Sequence, residues 1–215
     1  MTITRFITDF KNILKYTICK TFDRNSIKKH QFIRYSKIHQ EIINRKIIFF
    51  FPYWCYGGGE RVHADILKVF SNYNTTCFIS EVSPNNGFKQ DFVSNSNVVD
   101  ISDWRITKKS ASIILQNVAR AINNEPDIIL FGCNSQFYYD LIPLLNTDVK
   151  IIDLIHAFSG PKGSEYYSLP YVHRFYKRIV LGEKTKNDFK KLYEENAIPS
   201  KFLENLTIIP NKVDA

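Results

Sequence analysis

Three consecutive glycines directly behind an apolar segment are the feature that most constrains the fold of this chain. The segment 47–52 reads Ile-Ile-Phe-Phe-Phe-Pro, and the glycines occupy positions 57–59. Behind the glycines, apolar side chains recur at helical spacing, at Val62, Ile66, Leu67 and Phe70. β-Branched and aromatic residues favour a strand, and the spacing that follows them favours a helix. The pattern therefore predicts a strand, a glycine turn and a helix.

A strand, a glycine turn and a helix are the parts from which α/β proteins build anion sites. Glycine lets the backbone approach a ligand closely, and the start of a helix offers unpaired N–H groups and the positive end of the helix dipole. A tight turn without a ligand is the alternative. The glycines do not follow the G-x-G-x-x-G spacing of dinucleotide-binding enzymes, and no Gly-Lys-Ser/Thr closes a P-loop. The sequence therefore favours neither of those two classes.

From residue 46 onward, short apolar runs alternate with helical patterns. The predicted strands are 47–51, 76–81, 97–102, 127–132, 149–155, 178–181 and 207–210. The predicted helices are 60–71, about 107–123, 135–145 and 183–196. This alternation predicts an α/β fold with a Rossmann-like, mainly parallel sheet and helices on both faces. Ligands bind such sheets at the carboxyl ends of the strands, where we expect four segments to meet: 57–61, 83–89, 132–136 and 156–163.

The chain of 215 residues has a net charge of +8, and this surplus is confined to its N-terminal part. Residues 1–46 contain eleven Lys and Arg against three acidic residues, which leaves the rest of the chain balanced. We therefore expect a basic helical extension over residues 1–45, followed by the α/β domain over residues 46–215. Apolar spacing in the first part of the extension predicts an amphipathic helix, which suits either an anionic membrane surface or the protein's own body. The second part, 26–44, is expected to cover the body.

Missing sequence features argue against secreted, membrane-spanning and nucleic-acid-binding proteins. The four cysteines, Cys19, Cys55, Cys77 and Cys133, lie far apart without a C-x-x-C pair, which is typical of reduced thiols in a cytoplasmic protein. The N-terminus has no apolar core of a signal peptide, and no run approaches the roughly 20 apolar residues of a membrane span. A balanced body without a nucleic-acid motif argues against nucleic-acid binding.

Four short motifs share the order and spacing of one enzyme family. They are GGGERV at 57–62, PDII at 126–129, IIDLIH at 151–156, and the segment 178–214, which ends in LTIIPNKVD. In these motifs the chain resembles the N-terminal domain of a retaining GT-B glycosyltransferase of family 4, the "glycosyl transferases group 1" type. The resemblance covers about residues 46–215. Lys212 stands where the family usually has glycine, and Gly182 stands where serine is common.

The resemblance implies transfer of a sugar from a nucleotide-sugar donor to a glycan or lipid-linked acceptor, as in bacterial polysaccharide or glycolipid synthesis. The nucleotide-sugar is a co-substrate, and no other cofactor is implied. In the family a C-terminal domain binds most of the donor, and this chain ends at Ala215, where that domain would begin. We therefore expect the acceptor-side half of a two-domain transferase, inactive alone, in the cytoplasm or peripheral at the inner face of the membrane.

The resemblance also implies roles for individual residues. His156, at the end of a predicted strand, is the expected catalytic residue and would hydrogen-bond a hydroxyl of the donor sugar. The donor phosphates and sugar would face Gly57, Gly58, Gly59 and Arg61. Acceptor contacts are expected only from position near the carboxyl ends of the strands, for Lys89, Trp104, Arg105, Ser159 and Lys162. No metal is expected, because Glu60 and His63 stand at i, i+3 without a second such pair.

Other interpretations stay open at this point. A single histidine behind an apolar strand is commonly structural, and Arg61 is equally suited to a salt bridge with Glu60 or Asp65. The domain as a whole is alternatively a non-catalytic Rossmann-like module, or an orphan half-domain, that recognises an anionic ligand or a partner chain.

Overall fold

The computed structural model of the protein describes residues 36–105, 108–161 and 163–211, apart from the side chains of residues 105, 108 and 109. The amphipathic helix predicted near the N-terminus lies outside these residues. The described residues form seven strands: β1 Ile47–Phe51, β2 Thr75–Ile79, β3 Asn97–Asp100, β4 Ile129–Cys133, β5 Lys150–Ile155, β6 Phe175–Val180 and β7 Leu206–Ile208. They form one sheet in the order β3-β2-β1-β4-β5-β6-β7, and every neighbouring pair is parallel. The predicted α/β, Rossmann-like fold is therefore confirmed.

Helices connect the strands. They are α1 over residues 36–42, α2 Gly58–Val69, α3 Lys89–Asn95, α4 Lys108–Asn123, α5 Gln136–Leu141, α6 Ser164–Tyr167 and α7 Glu183–Glu195. Short 3-10 turns add Ser102–Arg105, Ile142–Leu144, Leu169–Arg174 and Ser200–Asn205. In the part of the chain that is described, no helix is both long and apolar enough to cross a membrane.

The central strand β1 is buried on both faces of the sheet, which explains its continuous apolar sequence. Ile48 and Phe50 point into one core cluster, with α1, α4 and α5, whereas Phe49 and Phe51 point into a second cluster with α2 and α3. All four side chains are fully buried. Because successive residues of a strand face opposite sides, the central strands contribute to both clusters, whereas β7 packs with α7 in a third cluster. Helices therefore pack against apolar side chains on both faces of the sheet.

Helix α1 belongs to the body of the protein. Its residues Ile38 and Ile42 are fully buried in the first cluster, as expected for a segment that covers the body. The packed structure therefore extends N-terminal to residue 46, where the charge pattern alone would begin the domain.

Several predicted boundaries are wrong for identifiable reasons. Strand β4 begins at Ile129 rather than residue 127, because Asp127 adopts a left-handed backbone conformation with φ 56°. The predicted helix 135–145 ends as an α-helix at Leu141 and continues as a 3-10 turn containing Pro143, which has no N–H to donate. Helix α3 was not predicted, since Phe92 is its one buried residue and a single apolar position gives no periodic signal.

The order of the strands decides where a ligand can bind. From β1 the chain moves outward through β2 and β3, then returns to the other side of β1 as β4. The crevice between β1 and β4 is therefore the topological switch point, where α/β sheets bind ligands outside the strands' carboxyl ends. The glycines at 57–59 follow β1, and His156 follows β5, the neighbour of β4.

A buried ion pair joins β5 to β6. Arg178 donates from Nε to Oδ2 of Asp153 at 2.9 Å, and both side chains are shut off from water. The remaining donors of Arg178 reach the hydroxyls of Tyr193 on α7, at 2.9 Å, and Ser168, at 2.6 Å. Tyr139 on α5 donates to the other oxygen of Asp153 at 2.8 Å. Each polar group in this network is thus satisfied, which is the condition under which a buried charge pair is tolerated.

Removing one charge of this pair is expected to destabilise the fold strongly. Replacing Asp153 with asparagine leaves the Arg178 guanidinium buried without a counter-charge, so we expect a loss of about 3–5 kcal/mol in the free energy of unfolding. Urea denaturation monitored by circular dichroism measures this loss.

The matched control is Asp65→Asn. Asp65 pairs with Arg61 at 3.3 Å on the exposed surface of α2, and such pairs contribute about 0–1 kcal/mol. Similar losses for the two variants would contradict a special role of the buried pair.

Candidate functional site

The candidate site lies where helix α2 begins, at the carboxyl ends of β1, β4 and β5. Gly57 is the N-cap of α2 in an extended conformation, and its carbonyl accepts the first helical hydrogen bond from the Arg61 amide at 3.0 Å. Gly58 and Gly59 form the first turn. N–H groups of a first helical turn have no acceptor within the helix and point outward along its axis. They are therefore placed to donate to an anion.

The three glycines differ in their surroundings. A side chain at Gly57 would collide with the carboxylate of Glu60, which folds back over it. A Cβ at Gly59 would lie 3.4 Å from Nε2 of His156, whereas no atom of the described residues lies within 4 Å of a Cβ at Gly58. Gly58 thus faces open space, and Gly59 lets the His156 ring lie against the start of the helix.

His156 reaches this position through the alternation of strand β5. Ile152 and Leu154 point into the cluster beneath α2, and the next residue with the same direction is His156. Its ring is half-buried, and its Nε2 lies 3.1 Å from Nε2 of His63 on α2. The strand's other face carries Asp153 and its ion pair.

His63 is a core residue. Its side chain is 1% exposed, and its ring stacks on Phe51 with the centroids 4.1 Å apart and the planes 6° from parallel. The i, i+4 relation between His63 and the buried Leu67 shows that it belongs to the inward face of α2. It therefore supports His156 from beneath rather than standing at the surface beside Glu60.

Both imidazoles are held neutral by their surroundings. Burial, and then the charge that His156 would carry, lower the pKa of His63 well below its ordinary value. Burial also lowers the pKa of His156. The positive end of the α2 dipole opposes a cation at the same place. At neutral pH the site therefore presents uncharged rings that donate and accept hydrogen bonds.

Cys133, the last residue of β4, lies beside the two histidines. Its sulfur, one ring nitrogen of His63 and one ring nitrogen of His156 all lie within 4.8 Å of one another. Two imidazoles and a thiol are suitable zinc ligands. However, metal-bound histidines normally donate their second N–H to a carbonyl or carboxylate, and Nδ1 of His63 has no partner among the described residues. A hydrogen bond between the rings accounts for their approach, and the absence of a metal stays a prediction.

Hydrogen bonds fix the loops around the site, which lie together at the carboxyl ends of the strands as the sequence predicts. Trp54 donates its backbone N–H to the hydroxyl of Ser83 at 3.1 Å, and the Tyr56 amide donates to Oδ1 of Asn85 at 3.0 Å. On the other side, buried Glu165 accepts from the amides of Ser159 and Gly160 at 2.6 and 2.9 Å. These bonds set the walls of the crevice on both sides of α2.

The tentative acceptor residues are scattered. Lys89 lies over the Trp54 ring at 4.9 Å, on the β2 side of the crevice. The Ser159 backbone belongs to the loop that Glu165 holds. Trp104 packs against the first core cluster and lies under Lys37, so it belongs to the opposite face of the sheet from His156. The side chains of Arg105 and Lys162 lie outside the described residues.

Arg61 is exposed and paired with Asp65, its i+4 neighbour on α2. This is one of the two salt bridges that the sequence suggested. The pair lies on the outer side of the helix, and the guanidinium also lies 5.8 Å from the Phe88 ring. A phosphate contact by Arg61 therefore requires that this weak surface pair open, and such a role stays a prediction.

The neutral histidines predict that the protein loses stability in mild acid. In the unfolded chain a histidine takes up a proton below about pH 6.5, whereas the folded protein resists protonation of His63 and His156. The unfolded state then binds more protons, so the free energy of unfolding falls as the pH falls. We expect full stability above about pH 6.5 and a loss of about 1.4 kcal/mol per pH unit for each such proton below it, down to the lowered pKa values.

Urea denaturation between pH 7.5 and 5 measures this dependence, and His63→Phe is expected to reduce it. His173→Gln, which removes a histidine from the exposed surface, provides the matched control. An unchanged slope in the His63 variant would show that groups other than His63 cause the acid sensitivity.

Comparisons with models of protein families, with curated proteins and with solved structures each find no match for this chain. The sequence motifs and the geometry at the start of α2 are therefore the basis of the functional argument.

Proposed function

We propose that this chain is the acceptor-side half of a glycosyltransferase that moves a sugar from a nucleotide-sugar to a glycan or lipid-linked acceptor. One observation carries the proposal: a glycine-opened helix begins at the switch point of the sheet, with a half-buried, neutral His156 against it. The Cβ position of Gly59 lies 3.4 Å from Nε2 of His156. A diphosphate and the sugar attached to it need these two kinds of contact side by side.

The chemistry follows from the charges that develop during sugar transfer. As the bond to the sugar breaks, negative charge grows on the departing diphosphate, and N–H groups of Gly58 and Gly59 can stabilise it. These donors are held by the helix, so they need no reorganisation when the charge appears. A neutral imidazole at His156 can hydrogen-bond a sugar hydroxyl and hold the ring in position. Retention of the anomeric configuration is proposed from the family resemblance alone.

The arrangement differs from a dinucleotide site in its glycine spacing. A G-x-G-x-x-G loop carries the backbone past a pyrophosphate before the helix begins, whereas here two glycines lie in the first turn itself. The open space at Gly58 leaves the helix end accessible from the rim. A group brought from outside the domain, such as a donor held by a second domain, suits this geometry.

Binding of a diphosphate to the full chain tests the proposal. We expect UDP, GDP, ADP or inorganic pyrophosphate to shift the backbone amide NMR signals of Gly58 and Gly59 and the ring signals of His156. Gly58→Val is expected to weaken this binding at least about tenfold, equivalent to about 1.4 kcal/mol, because the β-branched side chain covers the helix end. In the described part of the chain no atom lies within 4 Å of the added Cβ, so the thermal midpoint should change little.

Gly182→Val is the matched control. Gly182 also precedes a helix behind a parallel strand, and its Cβ position is likewise open, so its substitution should leave binding unchanged. Equal effects of the two variants, or no shifts at the start of α2, would overturn the proposed donor site. Shifts as large with sulfate as with diphosphates would favour a non-catalytic anion-binding module.

The basic extension supports a location at an anionic membrane surface. Its surplus of positive charge and its apolar spacing are what bind amphipathic helices to such surfaces. We expect the full chain to sediment with phosphatidylglycerol vesicles and a chain lacking residues 1–35 to do so much less. Truncation at residue 46 would remove the buried Ile38 and Ile42 and so damage the core. Equal sedimentation of both chains, or equal binding to phosphatidylcholine vesicles, would contradict the proposal.

A further inference from the structure

We propose that His63 is a positioning residue, which donates a hydrogen bond from its Nε2–H to Nε2 of His156 and thereby holds His156 as the tautomer protonated on Nδ1. Nothing in the sequence motifs assigns a role to His63. The hydrogen bond and the tautomer follow from the geometry, and only their use in sugar transfer rests on the proposed function.

The distance between the rings requires that one nitrogen donate and the other accept. Nε2 of His63 and Nε2 of His156 lie 3.1 Å apart, and the ring planes are inclined by 42°. Two N–H groups or two lone pairs cannot face each other at this distance without repulsion, and a neutral imidazole has one of each. One histidine is therefore the donor of this hydrogen bond and the other is the acceptor.

The surroundings of His63 decide that it is the donor. Its other nitrogen, Nδ1, is buried and has no hydrogen-bond partner among the described residues. A buried N–H without an acceptor is rarer and more costly than an unused acceptor. The single proton of His63 therefore belongs on Nε2, where it has His156 as its acceptor. His156 in turn must carry its own proton on Nδ1.

His63 is itself held in place. Its ring stacks on Phe51, and Phe51 makes edge contacts with Phe92 and Phe131 at centroid distances of 6.1 and 6.2 Å. The neighbouring thiol of Cys133 stays protonated, because burial raises the pKa of Cys133 well above its ordinary value. The thiol therefore carries no charge that competes for the His63 proton, and the donor approaches His156 from one fixed direction.

The consequence concerns what His156 can recognise. Its Nε2 and Cδ2 atoms face Gly59 on α2, so Nδ1 lies on the other edge of the half-buried ring. A proton on Nδ1 makes this edge a hydrogen-bond donor. His156 then recognises an acceptor, such as a hydroxyl or phosphate oxygen, and does not serve as a general base through Nδ1. His63 thus decides the chemistry that His156 offers without touching the ligand.

Nitrogen-15 NMR of the histidine rings in the full chain tests the inference directly at pH 7.5. We expect protonated Nε2 in His63 and protonated Nδ1 in His156. His63→Gln retains an amide donor near the position of Nε2, so His156 should keep its tautomer. His63→Phe retains the stacking on Phe51 but has no donor, so His156 should shift toward the tautomer protonated on Nε2. Circular dichroism verifies that both variants fold.

The outcomes separate this inference from the proposed function. The opposite tautomers in the unsubstituted chain, or a His156 tautomer that does not respond to His63→Phe while the variant is folded, would overturn it. Stoichiometric zinc in the purified chain, with both Nε2 signals shifted by the metal, would also overturn it. The expected tautomers without any diphosphate binding would support the hydrogen bond and count against only the donor site. If His63→Phe does not fold, the tautomers of the unsubstituted chain and of His63→Gln still decide.

Discussion

The charges of Asp153 and Arg178 are enclosed between β5, β6 and the elements packed against them, and much of the architecture follows from the need to satisfy them. Arg178 lies between the rings of Phe175 and Phe189, 4.4 and 4.6 Å from their centroids. A guanidinium in such a place is costly unless every donor is used. Besides Asp153, its acceptors come from α7 and from the turn at Ser168, and Tyr139 of α5 donates to the second oxygen of Asp153. These elements must therefore assemble together around one pair of strands.

The same strand that anchors this network also presents the candidate site. Along β5, Asp153 faces the ion pair, while Ile152 and Leu154 face the cluster beneath α2 and lead to His156. A shift of one residue in the pairing of β5 would exchange the two faces. It would then place Asp153 in the apolar cluster beneath α2, away from Arg178, and turn His156 away from the start of α2. The ion pair thus stabilises the register on which the position of His156 depends.

The start of α2 combines two features that favour an uncharged but polar pocket. The helix dipole and the burial of both histidines oppose imidazolium, and the glycines bring backbone donors close to the same point. An anionic group bound here would therefore be attracted by N–H dipoles rather than by a salt bridge. Such donors act without a change in protonation, which suits a leaving diphosphate. A module that merely binds anions would share these donors, and the proposed function differs from it in using the hydrogen-bonded histidine pair to orient a sugar hydroxyl.

The amino-acid sequence by itself determined the α/β class, the seven strands and the glycine start of α2. These features depend on the spacing of apolar residues and on the conformational freedom of glycine, and both can be recognised within a short segment of sequence. Only the tertiary structure decided that His63 meets His156, because the two are 93 positions apart. Their contact depends on the strand order and on the direction of the pleat in β5. The sequence likewise could not predict that Glu165 accepts from the amides of its loop or that Arg178 is buried. A charged residue is expected at the surface unless the partners that compensate its burial are known.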